Sequence, residues 1–327
     1  MVSIRRVQLT GLSTLTVSLP KSWVKRNNVQ PGQELFLNEE QDGSVSVRLS
    51  HSPTSKQVTI DVDKFTSANE LRRAFLSHYV AGDSVFNFNA ETKIPSEMRK
   101  VIADETHRLM GIEIVNESPR NILVQDFFSQ EGLSVEKSIK RSCLITNRMF
   151  EDVATAVKTS SQKMLSEVIF RDDEVDRLHF LLLRQLNLAL RDSSLLRELG
   201  LTSVECVYFA ILVKNIERSA DRVSKIAEYL SEAYKETKKM DPSMLEPLSK
   251  SRELFSESVD SFLTNDVSKA NDLLNKIHIA SKRVRDLKKR KSGSEINYLL
   301  VLDNVASILD HCAEISALTN NRSALSQ

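Results

Sequence analysis

NIERSADRVSKI (Asn215–Ile226) and NVASILDHCAEI (Asn304–Ile315) are two stretches of one 327-residue chain that keep the same apolar spacing and share an acid, Asp221 in the first and Asp310 in the second. Apolar residues returning every three or four positions mark one face of an α-helix. The same period runs through nearly everything from Ser134 onward. It predicts helices over Ser134–Lys158, Ser161–Arg191, Thr202–Lys239, Met244–Leu263, Asp266–Arg290 and Ser294–Asn320, broken at Ser, Thr and Asp caps, Gly200, Asp241-Pro242 and Gly293. Three helices followed by three more, with related stretches in the last of each set, read as two antiparallel three-helix bundles in tandem, residues 134–239 and 244–320.

Upstream the period changes to two. Val7 and Leu9, then Leu15, Val17 and Leu19, alternate with polar residues as half-buried strands do. Pro20 opens a short helical turn over Lys21–Asn27, Pro31-Gly32 turns the chain, and Leu35 and Leu37 lead through an Asp42-Gly43 hairpin turn to Val45, Val47 and Leu49. A unit of this size, residues 1–50, buries little surface alone, so pairing with a second copy is the natural way to complete its core. After a polar linker, strands at Val58–Val62, Ser84–Asn89, Ile112–Val115 and Ile122–Gln125 alternate with helices at Asn69–Val80 and from Pro95 to Met110. Residues 57–128 therefore read as a small α/β domain, a spacer or an addition to a dimer interface. The whole is an α+β multidomain chain.

Composition narrows the function classes. Apolar content of 41% with 27% charge belongs to a globular protein rather than a disordered one. Met1–Ser13 lacks a basic segment followed by an apolar stretch, no apolar run approaches a bilayer span, and Cys143, Cys206 and Cys312 show no paired spacing. These features predict a cytoplasmic protein with buried thiols. The net charge of +1 conceals an uneven distribution: residues 1–30 hold Arg5, Arg6, Lys21, Lys25 and Arg26 with no Asp or Glu. Five cations without a counter-anion, doubled by a two-fold axis, suit a nucleic-acid backbone. A second basic run, Lys282–Lys291, falls at a helix C-terminus, where cations favour the dipole.

Two acidic pairs stand out in the helical half. Asp172 and Asp176 are one turn apart on the second predicted helix, and Glu217 and Asp221 repeat the spacing on the third. Like charges so placed repel, and two readings stay open. Either the acids form a solvated face with Arg171, Arg177, Arg218 and Arg222 as intrahelical partners, or antiparallel helices bring four carboxylates together as hard oxygen ligands for a divalent or ferric ion. Asp176 and His179 resemble half of a di-iron site, but the further Glu-x-x-His elements are missing. No Gly-rich phosphate loop or nucleophile motif is present, so no enzyme is predicted.

Glu217-Arg218-Ser219-Ala220-Asp221 with Ile226-Ala227-Glu228 resembles the E-R-x-x-D…I-A-E signature of PhoU domains, and Asp172…Asp176 resembles that family's upstream acidic pair. The resemblance implies two three-helix repeats over about residues 134–320 and a role in restraining phosphate uptake and phosphate-starvation gene expression. It also implies a metal cluster at Asp172, Asp176, Glu217 and Asp221. The second repeat departs from the pattern. Ala306 stands where the first has Glu217, and only His278/Lys282 or Ser281/Arg285 could face it, so one cluster at most is implied.

Gly11 and the run Thr14–Val24 with its Leu19-Pro20-Lys21 element, followed by Gly32 and a hairpin, resemble the AbrB/SpoVT type of swapped-hairpin module. That resemblance implies a homodimer through the N-terminal unit and double-stranded DNA as partner, with Arg5, Arg6, Lys21, Lys25 and Arg26 on the phosphates and Trp23 as a core anchor. The expected function is a DNA-binding regulator of phosphate uptake and homeostasis. The alternative is an adaptor that contacts a phosphate transporter ATPase or a signalling protein without touching DNA.

Overall fold

A computed structural model describes residues 4–39, 43–49, 56–127, 134–290 and 296–326. The chain divides into two compact units, Met1–Thr54 and Ser55–Gln327. Asp42 of the expected hairpin turn, most of the polar linker, Lys291 of the second basic run and the expected helix start at Ser294 lie outside the described residues.

The first unit consists of two hairpins and a short helix. Strands β1 (Gln8–Thr10) and β2 (Thr14–Thr16) pair antiparallel with Leu9 opposite Leu15. Helix α1 (Lys21–Arg26) follows Pro20, and β3 (Phe36–Glu39) pairs antiparallel with β4 (Val45–Arg48). The turn at Gly11 has a φ of 71°, a backbone state that costs glycine nothing.

The second unit begins with a four-stranded sheet. Its strands are β5 (Gln57–Asp61), β6 (Val85–Asn89), β7 (Ile112–Glu117) and β8 (Asn121–Asp126), in the order β5-β6-β8-β7. β5 and β6 run parallel because α2 (Ala68–Val80) crosses between them, and α3 (Ser96–Arg108) connects β6 to β7. The α/β expectation for this segment therefore describes its local structure. Phe86 and Phe88 on β6 and Ile122 and Val124 on β8 alternate inward, and Phe75 packs edge-on against both phenylalanines at 5.1 and 4.9 Å.

The helical half follows as α4 (Val135–Thr159), α5 (Gln162–Ala189), a single short helix α6 (Ser193–Glu198) and α7 (Ser203–Thr237). Then come α8 (Leu245–Leu263), α9 (Val267–Arg290) and α10 (Ile296–Ser323). Thr202 and Glu205 form a capping box at the start of α7. α4, α5 and α7 pack as one antiparallel set and α8, α9 and α10 as another, and α7 against α10 joins them into one continuous core. The related stretches meet at this join: Asn215 and Asn304 are both buried, and each donates its amide to the carbonyl four residues back, Ile211 and Leu300.

The sheet domain is not a free-standing spacer. It sits on α5 within the same compact unit as the bundles. Arg184 of α5, 3% exposed, donates to the carbonyls of Tyr79 (2.5 Å) and Asp83 (2.8 Å) and pairs with Asp126 (2.5 Å). Its guanidinium also lies 4.8 Å from the Tyr79 ring centroid. Asn187 donates to the Val80 carbonyl, and Phe180 joins the core of the sheet domain. Gly82 turns under this contact with a φ of 94°, and a β-carbon there would meet Leu188 at 2.6 Å. Losing one member of a buried ion pair leaves the other uncompensated. Arg184→Ala is therefore expected to lower stability by about 3–5 kcal/mol, measured by urea unfolding; a loss below about 1 kcal/mol contradicts the assignment of Arg184 as the main tie.

Candidate functional site

The N-terminal unit presents two kinds of surface. Among its described residues none is buried. Leu9 and Leu15 are 65% and 68% exposed, and Val7 and Val17 continue the same face. Leu37 and Val45 expose a second apolar area on β3 and β4. Trp23, expected as a core anchor, is only half-buried. Among the described residues of the unit this alternating apolar face is left uncovered, so the hairpin pair has not completed its core. Arg5 and Arg6 precede β1, and Lys21, Lys25 and Arg26 lie on α1; all five are exposed and form no ion pair among the described residues. The apolar face and the cations belong to the same small unit.

In the second unit the four carboxylates lie close enough to influence one another's charge, without converging on one point. α5 and α7 pack along their length, and Asp172 feels the charges of Asp176, Asp221, Glu217 and Asp173. Burial first, and then those four acids, push the Asp172 carboxyl from 3.8 up to about 7. Its Oδ1 is buried without a hydrogen-bond partner. Burial also raises Asp176, against the pull of Arg108, whose guanidinium bonds its Oδ2. Lys214 donates to Glu217 at 2.6 Å.

These contacts change the expected arrangement in two ways. The arginines predicted as intrahelical partners are engaged elsewhere or not at all: Arg171 pairs with Asp152 of α4, Arg222 reaches Asn304 of α10 at 3.4 Å, and Arg177 and Arg218 form no ion pair among the described residues. The cations that do reach the cluster are Arg108, from the sheet domain, and Lys214. Lys214 lies three residues before Glu217 and was readable as a helical neighbour. Arg108 is separated from Asp176 by 68 positions, and no local pattern links them.

Among the described residues no three His, Cys, Asp or Glu side chains stand together as ligands for one ion. Asp176 and Glu217 are already occupied by protein cations. The orphaned Asp172 oxygen is the one feature that favours an ion, and by itself it does not make a site. As arranged, Asp172, Asp176, Glu217 and Asp221 do not fit a metal centre. His179 does not enlarge the set: it is buried, and desolvation with Lys214 nearby holds its imidazole down to about 4, hence neutral. In the second bundle Asp310 is exposed and stands alone of its expected pair.

Comparison with known proteins follows the same division of the chain. Residues 139–230 match the PhoU domain. This segment runs from α4 to α7 and holds all four clustered acids, while the second bundle lies outside it. Residues 8–53 match the family described as antidote-toxin recognition MazE, a bacterial antitoxin. Two solved structures are similar: the phosphate transport system regulatory protein PhoU from Streptococcus pneumoniae (17% identity, TM-score 0.44) and PhoU from Pseudomonas aeruginosa (16%, TM-score 0.46). The similarity covers 57% of this chain and 91% and 93% of theirs. No curated protein matches the chain. Among the described residues no helix is long and apolar enough to cross a membrane.

The Asp172 carboxyl in the PhoU-matching segment carries a pH signature. Because its folded pKa, about 7, lies above its ordinary 3.8, the native state binds the proton more tightly than the unfolded state. Its contribution is complete below pH 3.8 and is lost as pH rises to about 7. Asp172→Asn keeps the shape and removes the charge. Urea midpoints between pH 4 and 8 should fall less steeply in this variant than in the parent, with the variant the more stable at pH 8; parallel curves refute the shift.

Proposed function

We propose that the chain is a dimeric, DNA-binding regulator of phosphate uptake and homeostasis, without enzymatic activity. Its N-terminal units pair through their apolar hairpin faces, and its helical half receives the cellular signal. One observation carries the reading: a unit with no buried residue among those described, and with an exposed Leu9/Leu15 face, also bears five cations that form no ion pair among the described residues. Pairing two such units buries the apolar face and gathers ten basic groups on one assembly. Such a surface releases counterions from a phosphate backbone and binds it in a salt-dependent way. The match to the antitoxin family supports a paired hairpin module, and the match to the PhoU domain supports the phosphate pathway.

A second reading is an adaptor that acts by protein contacts on a phosphate transporter ATPase or a signalling partner. It is favoured by a cleft of about 440 Å³ between α5 and α7, walled by Leu183, Leu186, Leu190, Val207 and Ile211. Leu190 and Val207 are about half exposed there, an apolar surface of the kind that partner proteins cover.

The two readings part in an electrophoretic shift assay with promoter DNA from phosphate-responsive genes. The parent chain should shift the DNA at low salt. Lys21→Glu/Arg26→Glu removes up to four phosphate contacts per dimer and should lower the log–log salt slope by roughly 3 to 4, at about 0.9 per contact. Leu9→Asp/Leu15→Asp should give a monomer by light scattering and abolish the shift. No shift by the parent at low salt eliminates DNA binding and leaves the adaptor.

A further inference from the structure

We infer that the acidic cluster on α5 and α7 is the seat of an arginine from the sheet domain: Arg108 holds Asp176 where the PhoU resemblance implies metal, and the contact latches residues 56–127 to the bundle. Arg108 is the last residue of α3, and its guanidinium bonds Asp176 Oδ2 on α5. It lies 5.4 Å from the centroid of Phe180, one turn further along α5, whose ring packs into the core of the sheet domain. One turn back on α3, buried Glu105 is within 3.9 Å of the same guanidinium. Arg108 therefore stands between two carboxylates, one on the sheet domain and one on the bundle, with an aromatic ring beside it.

The chemistry suits a guanidinium better than an ion. A planar cation with several fixed N–H donors can satisfy carboxylates arriving from different directions and stack on a ring, whereas a divalent ion needs several oxygens closing around one point. The described residues bring no three ligands to such a point. Lys214 on Glu217 brings a second protein cation to the cluster. The side chains of Arg108 and Asp176 are 29% and 23% exposed, so the pair is shielded enough to matter and open enough to break. Arg184 ties the sheet domain to α5 two turns away, which makes the Arg108 contact a second, more exposed attachment.

The test uses the full chain purified without chelator. Elemental analysis and a titration with manganese(II) chloride measure metal, and hydrogen exchange measures the C-terminal turn of α3. The parent should hold no stoichiometric metal. Arg108→Ala and the isosteric Asp176→Asn should each speed exchange at residues 105–109 by about tenfold, and the double variant no further, because both remove one contact. Exchange in α8 to α10 should stay unchanged in all three. The inference is overturned by stoichiometric metal that Asp176→Asn removes, by unchanged exchange in Arg108→Ala, or by exchange that rises equally throughout the bundle.

Discussion

Arg184 is a full positive charge withdrawn from water, and the packing of the larger unit is arranged around satisfying it. The Tyr79 carbonyl on α2, the Asp83 carbonyl in the turn that follows, the Asp126 carboxylate at the end of β8 and the face of Tyr79 converge on its guanidinium. None of these groups belongs to a helix of the bundle. A buried arginine supplied by one subdomain and satisfied by another cannot be separated from its partners without leaving charge in an apolar interior. The sheet and the helices consequently form one compact unit, although their secondary structures would suggest two domains. Everything nearby follows this geometry: the tight turn at Gly82, the seating of Phe180 in the sheet's core, and the approach of α3 to α5.

Periodicity explains why most of the elements were legible. The helices of the bundle differ from their expected limits by a few residues, because caps such as Ser134, Ser161 and Thr202 are local signals read by the backbone next to them. Strand alternation around Phe86 and Phe88, and the hairpins flanking Gly11 and Gly43, are equally local. The short helix α6 was missed because its six residues are fewer than two turns, and no periodic signal develops over that length. Acid clustering was half legible. Spacing placed Asp172 with Asp176 and Glu217 with Asp221, but the identity of their counter-charge depends on tertiary contacts. Local sequence does not distinguish Arg108 from any other helix-terminal cation, or Arg184 from any other charge on a long helix. Both are decided by where the sheet domain sits.

The N-terminal unit obeys the opposite constraint. Its strands have the alternation of a half-buried sheet, yet the face that should be buried is in water. In a larger domain such a face would be covered by the next element of the chain, as Phe86 and Phe88 are covered by α2. Here the described residues of the unit supply no such element. The same shortage of acids that gives residues 1–30 their charge leaves Lys21, Lys25 and Arg26 without an ion pair among the described residues. Incomplete burial and uncompensated charge are both costs for an isolated unit; the proposed pairing with a second copy would remove the first and the proposed polyanion the second.

The carboxylates of the larger unit show how a cluster of like charges is accommodated inside a helical bundle. Four acids on two packed helices are stable only if positive charge reaches them or protons stay on them. This chain uses both: Arg108 and Lys214 occupy Asp176 and Glu217, and Asp172 holds its proton up to about 7. Because Arg108 arrives on the sheet domain, the charge balance of the cluster depends on the position of that domain. Moving the domain away would leave Asp176 without its cation, while Glu105 would keep Arg72 and Arg108 within the sheet domain. The cluster of acids in the segment that matches the PhoU domain therefore becomes, through a single arginine from outside it, a contact that couples two parts of one folded unit.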